Sequence, residues 1–281
     1  MSQDCDKSQC ASCQKDCAER KVNFMEDANS QSHIKKVIAI MSGKGGVGKS
    51  SMTSCIAVAL RQKGYSVGIL DGDITGPSIP KAFGVKQKAV GNGNGMDTVK
   101  TQTGIHMMSA NLILDTEDTP VIWRGPVIGN AVKQFWTDVV WGDLDVLLID
   151  MPPGTGDVPL TVFQSIPVDG VVIVTTPQDL VSLIVKKSYH MAEKMSIPVC
   201  GIIENMSYVV CPDCGKRIEI FQHRNVEDFV RENEVPLWAE LPMMDSISRI
   251  YKDDDFDTET AQQMYAWISP AADQLIEKMG K

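Results

Sequence analysis

Long apolar runs are missing from this 281-residue chain. None approaches the roughly 20 residues that cross a bilayer, so no membrane-spanning helix is expected. The first residues are polar and lack the apolar core of a secretory signal, which makes the cytoplasm the expected compartment. Basic residues are also scarce: 27 Lys and Arg against 36 Asp and Glu leave a net charge of −9. Such a chain repels a phosphate backbone unless its basic residues cluster. The visible clusters, Lys35-Lys36 and Lys186-Lys187, are too short for a groove, and nucleic acid is not expected as a partner. There is no internal repeat, and His33, His106, His190 and His223 form no paired arrangement.

Against these absences stand eight cysteines, unevenly spread. Cys5, Cys10, Cys13 and Cys17 crowd the start, Cys211 and Cys214 form a CPDC turn, and Cys55 and Cys200 stand alone. A cytoplasmic compartment keeps thiols reduced, so clustered cysteines read as metal ligands before disulfides. Residues 1–33 hold few large apolar side chains and read as a flexible Cys-rich arm, a possible metal-cluster site. Residues 34–281 form the folded domain, starting near Lys36.

Within it, short apolar strands alternate with helices. Val37–Met41 is uniformly apolar, as a strand buried on both faces should be. Ser50–Lys63 is helical and ends at Gly64. Ser66–Leu70 is the next strand and delivers Asp71 and Asp73. Further strands are expected at Ile105–Ser109, Asp145–Ile149, Gly170–Thr175 and Val199–Ile203. Helices are expected at Gly129–Val139, Val181–Met195, 223–234 and 259–279, while Lys86–Thr103 reads as a loop or small excursion. The fold class is α/β, a mostly parallel sheet with helices on both faces and the site at the strand C-terminal ends.

Gly43–Ser50 (GKGGVGKS) matches the phosphate-loop pattern G-x-x-x-x-G-K-[ST] between a strand and a helix, the context that pattern requires. Gly43, Gly45, Gly46 and Gly48, with Val47 between them, let backbone N–H groups converge on the phosphates of ATP. The helix N-terminus at Ser50-Ser51 adds its positive dipole end. Lys49 neutralises the β- and γ-phosphates, and the Ser50 hydroxyl ligates Mg²⁺. Asp150 closes an apolar strand where a carboxylate can hold Mg²⁺, and the loop 152–157 after it carries glycine amides able to sense the γ-phosphate. A second lysine, Lys44, has no obvious phosphate in its own subunit and makes sense reaching the ATP of a facing one.

KGGVGKS with that extra lysine, followed by LDGD at 70–73, resembles the deviant-Walker ATPases that include MinD, ParA and the nitrogenase iron protein. Trp123-Arg124-Gly125-Pro126, Asp150-Met-Pro-Pro-Gly-Thr-Gly-Asp157, Thr176-Pro177-Gln178 and Glu204-Asn205-Met206-Ser207-Tyr208 resemble the Mrp/ApbC branch, the iron–sulfur cluster carriers. The resemblance covers residues 36 to about 250. It implies that Asp73 orients or activates the attacking water, that Asp71 supports the Mg²⁺ shell, and that Asn205 reads the adenine. It also expects an acidic residue in a D-V-R-K stretch of the helix after TPQ, where this chain has Ile184-Val185-Lys186-Lys187.

Cys211-Pro-Asp-Cys214-Gly215 can place two thiolates on one ion, equally well zinc or an iron–sulfur cluster. Either normally needs four ligands. A two-fold homodimer supplies two pairs, and His223 is a further ligand candidate within one chain. The family resemblance implies a 4Fe–4S cluster bridging the dimer and passed to apo iron–sulfur proteins. The C-x4-C-x2-C-x3-C of the arm is the candidate second cluster site, with zinc as its rival. A ParA- or MinD-like positioning ATPase is the alternative. It requires a basic surface or a basic terminal helix, and it leaves six cysteines unexplained. A redox role is a third reading.

Overall fold

In a computed structural model, the described residues are 24–114, 125–177, 183–220, 226–243 and 259–280. Cys5, Cys10, Cys13, Cys17, Trp123, Arg124, Gln178 and His223 lie outside them.

At the centre lies β1 (His33–Ser42), whose side chains split by a period of two. Ile38 and Ile40 join one apolar layer, Val37, Ala39 and Met41 the other. The neighbouring strands β8 (Asp143–Asp150) and β9 (Gly170–Thr175) divide the same way. The first layer is closed by α1 (Lys49–Gln62) and α7 (Glu259–Met279); the second takes in residues of α3 (Gly125–Thr137), α4 (Asp157–Ser165) and α5 (Leu183–Lys194). An uninterrupted apolar strand is the expected result when helices cover both faces.

The remaining elements are β2 (Val67–Asp71), α2 (Ile79–Ala82), β3 (Gly91–Asn92), β4 (Gly95–Asp97), β5 (Val99–Lys100), β6 (His106–Met108), β7 (Val139–Val140), β10 (Val199–Val210), β11 (Arg217–Ile218), α6 (Val226–Asn233) and β12 (Leu237–Pro242). The main sheet runs β11-β10-β9-β1-β8-β2-β6-β5, and β12 pairs with β10. Its strands are parallel except for β5 against β6 and β11 against β10. The excursion at Lys86–Thr103 holds β3 and β4, which join β7 in a separate small sheet, together with the edge strand β5.

Four elements differ from the sequence expectation. Strand β10 continues seven residues past Ile203 to Val210, carrying Glu204, Asn205 and Ser207 through a buried path. Those polar side chains mask a strand in the pattern, and partners far along the chain hold it. Helix α4 and strand β12 have no counterpart in the reading. Helix α3 begins at Gly125, four residues before the expected start. In addition, residues 24–33, grouped by composition with the arm, lie on the body. The Glu26 amide donates to Ser165 O (2.9 Å), the Trp136 indole donates to Glu26 O (2.8 Å), and Lys133 pairs with the Glu26 carboxylate (2.5 Å). No described helix is long and apolar enough to cross a membrane. One face of α7 is turned inward, with Ile268, Ala271, Ala272 and Leu275 buried, while Trp267 stays exposed.

Candidate nucleotide site and cysteine turn

The phosphate loop leaves β1 and enters α1 through two left-handed residues, Gly46 (φ 82°) and Gly48 (φ 81°). At Gly48 a side chain is excluded twice over. The backbone conformation disfavours one, and a Cβ would sit 2.4 Å from Asn205 Nδ2. Helix α1 has no side-chain cap and no acid in its first turn. A helix N-terminus of that kind offers amides and positive dipole to an anion. The loop borders a cleft of ≈ 180 Å³, also lined by Lys44, Lys49, Ser50, Asp73 and Pro153. Lys44 is exposed, whereas Lys49 is buried.

Sheet register brings two carboxylates together beneath this cleft. Asp71 and Asp150 are paired positions of β2 and β8, so two strand ends deliver them side by side. Asp150 accepts from Ser50 Oγ (2.6 Å) and Thr53 Oγ1 (2.7 Å), and Lys49 Nζ lies 2.8 Å away. Asp71 accepts from Ser109 Oγ (2.9 Å) and the Ile79 amide (3.4 Å). Burial, followed by the negative charge of Asp150, pushes the Asp71 carboxyl up to about 7. Two buried carboxylates with a hydroxyl beside them form an oxygen donor set that suits Mg²⁺, and a divalent cation relieves their repulsion. Thr53 and Ser109 were missed by sequence reasoning. Thr53 is legible in hindsight, since i+3 from Ser50 shares its helix face; Ser109 has no local signal.

Asn205 closes the other side of the loop. Its Nδ2 donates to Val47 O (2.9 Å), while its buried Oδ1 has no partner. A buried unpartnered acceptor is costly, and a ligand amino group offers a partner for it. Strand β10 is irregular there. Met206 has φ 56° and the pairing with β12 shifts between Glu204 and Tyr208.

The same strand ends in the cysteine turn. Cys211 to Lys216 connect β10 to β11, closed by Cys211 N donating to Lys216 O (3.0 Å) and Gly215 N to Cys211 O (2.9 Å). Gly215, at φ 69°, permits the reversal. The Cys211 sulfur receives the amides of Cys214 and Asp213, together with the Cys214 thiol, and these hold it below the ordinary thiol range. Cys211 is half-buried and Cys214 exposed. A thiolate-favouring turn at the surface suits a soft metal or cluster. Among the described residues no group of three or more His, Cys, Asp or Glu can hold a metal, so the turn has two ligands to offer. Cys55 and Cys200 are buried, and burial pushes the Cys55 thiol up.

Comparison with known proteins gives the family. The ParA family model, described as the NUBPL iron-transfer P-loop NTPase, matches residues 33–279. An iron–sulfur cluster carrier protein of Clostridium perfringens is 45% identical over 245 residues, covering 84% of this chain and 86% of the relative. The nucleotide-binding protein of Archaeoglobus fulgidus, solved in complex with ADP, superposes with a TM-score of 0.72 at 39% identity, over 83% of this chain and 92% of that one. The cell-division ATPase MinD of Pyrococcus furiosus, at 20% identity and TM-score 0.58 over 86% of this chain and 99% of that one, shares the fold. The chain belongs to the family of ParA-type iron-transfer P-loop NTPases, the iron–sulfur cluster carriers.

Proposed function

We propose that this protein is a homodimeric, cytoplasmic ATPase that receives a 4Fe–4S cluster at Cys211 and Cys214 and transfers it to apo iron–sulfur proteins. The observation that carries this reading is the course of β10. One strand supplies Asn205 to the phosphate loop and, six residues on, Cys211 to the cargo turn. At about 3.3 Å per residue the two sites lie roughly 20 Å apart along a single strand. Movement at Asn205 on nucleotide binding therefore has a direct mechanical path to the thiolates. Each subunit contributes two thiolates, and a two-fold axis through the turn completes a set of four.

At the nucleotide, the loop amides and Lys49 hold the phosphates of ATP. Ser50 and Asp150, with Asp71 behind, would hold Mg²⁺, which would supply charge neutralisation at the phosphates. Lys49 exchanges its contact with Asp150 for one with phosphate. Asp73, at the cleft wall, orients and activates water, Asn205 Oδ1 accepts from the adenine amino group, and Lys44 acts on the partner subunit's ATP. The cysteines of 1–23 form a candidate second cluster site.

Anaerobic iron–sulfur reconstitution of the full chain tests the cargo assignment. About four iron per dimer are expected at the turn. A Cys211→Ser/Cys214→Ser chain should lose them, and removal of residues 1–23 should leave them in place. Uptake of zinc without iron or sulfide by the intact protein would sink the carrier reading.

A further inference from the structure

A groove between α4 and α5 takes no part in the sites described above. Its volume is ≈ 490 Å³, and its walls include Leu160, Lys187, His190, Met191, Lys194 and Met195. Four residues of α5 and Met195 just after it follow the spacing i, i+3, i+4, i+7, i+8, a single stripe. Met191 and Met195 form a half-buried floor, Leu160 faces them from α4 with 40% of its surface exposed, and Lys187, His190 and Lys194 stand exposed along the rim. Neither Lys187 nor Lys194 is ion-paired to any described residue, although acidic residues outnumber basic ones in this chain. His190 is contacted by Glu193, 3.2 Å away.

We infer that this groove is a docking surface for an acidic, Leu- or Phe-bearing segment of a protein partner. Charge complementarity selects the occupant. Two unpaired lysines about 10 Å apart along the helix match carboxylates two turns apart on a facing segment. The methionine floor accepts varied apolar side chains, because Met is unbranched and readily repacks. A lipid surface fits less well, since the methionines are half-buried in a concavity rather than projecting from the surface. The groove reaches Thr155, in the same loop as Pro153 of the nucleotide cleft, so an occupant touches a segment that borders both.

The test is fluorescence anisotropy of the full chain with a fluorescein-labelled peptide of repeated Leu-Glu-Glu-Leu units. Saturable binding is expected, absent for the same peptide with Lys in place of Glu. Lys187→Glu/Lys194→Glu should weaken it at least about tenfold. Leu160→Ser, which changes no charge, should weaken it several-fold. Lys186→Glu lies on the same helix outside the groove and should stay within about twofold. Thermal melts verify that each variant is folded. Equal losses at Lys186 and at the groove lysines would report net charge alone and overturn the proposal. So would no wild-type binding at about 1 mM, or binding to phosphatidylserine vesicles but not to the peptide.

Discussion

The two ends of β10 are built on opposite principles. At Asn205 the strand is buried against the phosphate loop, beside the polar cluster in which Lys49, Ser50 and Thr53 converge on Asp150 and Ser109 on Asp71. At Cys211 the strand has left the core, and the turn displays two sulfurs with exposed Val210, Ile218 and Ile220 beside it. A hydrolytic site benefits from pre-organised groups that need not move during reaction. A site that passes its cargo on, the role proposed for the turn, gains from a surface position and an incomplete ligand set. On that proposal one strand serves two tasks.

The contrast breaks most visibly if each end is disabled alone. Lys49→Ala should lower ATP turnover at least about 100-fold while leaving reconstituted iron in place, because the lysine contacts Asp150 and Ser50 at the phosphate loop and not the cysteine turn. If Lys44 acts across the dimer, a Lys44→Ala chain mixed with an Asp73→Ala chain should regain turnover that neither shows alone. A steady-state phosphate-release assay reads both, and no recovery on mixing rejects action in trans.

Next in size is Gly48→Ala. It forces a Cβ onto Asn205 Nδ2 and into a left-handed backbone, which should cost about 1–3 kcal/mol of stability and most of the ATP affinity. Calorimetric titration with a non-hydrolysable ATP analogue checks this, and undiminished affinity would disprove the close approach. Asp71→Asn sharpens the comparison from the opposite side. It removes a carboxylate that burial and Asp150 disfavour. The nucleotide-free protein should therefore gain on the order of 1–3 kcal/mol at pH 8 as turnover falls. A melt showing lower stability would place the value of Asp71 in folding instead.

The smallest effect lies outside both sites. Burial, with help from Lys100 and Arg61, lowers His106 to about 4. The unfolded chain thus binds a proton that the folded chain refuses, and stability present above about pH 6.5 is lost as pH falls toward 4. Because the ring is partly exposed, the loss should be about 1 kcal/mol. His106→Gln should remove it from a denaturant-melt pH series, and an unchanged slope would assign the pH dependence elsewhere.

The chemistry of the site was legible in contiguous residues and its architecture was not. Gly43–Ser50 announces its own fold because every role in it is played by neighbours. Asp150 and Asp71 are visible as strand-end acids, yet only the register of β2 against β8 makes them one pair. Strand β12 escaped notice because its pairing with β10 replaces the pattern that a self-evident strand would show. Residues 24–33 look like linker by composition, and it is contacts distant in sequence, among them hydrogen bonds to α3, α4 and β7, that attach them to the body.

By itself the sequence determined the phosphate loop, the alternation of buried strands and helices, and the cysteine pair. These depend on local backbone freedom, on side-chain period and on short spacing. The tertiary structure alone decided that Asn205 closes the phosphate loop, that the cysteine turn continues the same strand, and that α4 and α5 enclose a basic-rimmed groove. Each of these joins residues distant in sequence, and such contacts arise only when the sheet fixes which strands are neighbours and in what register.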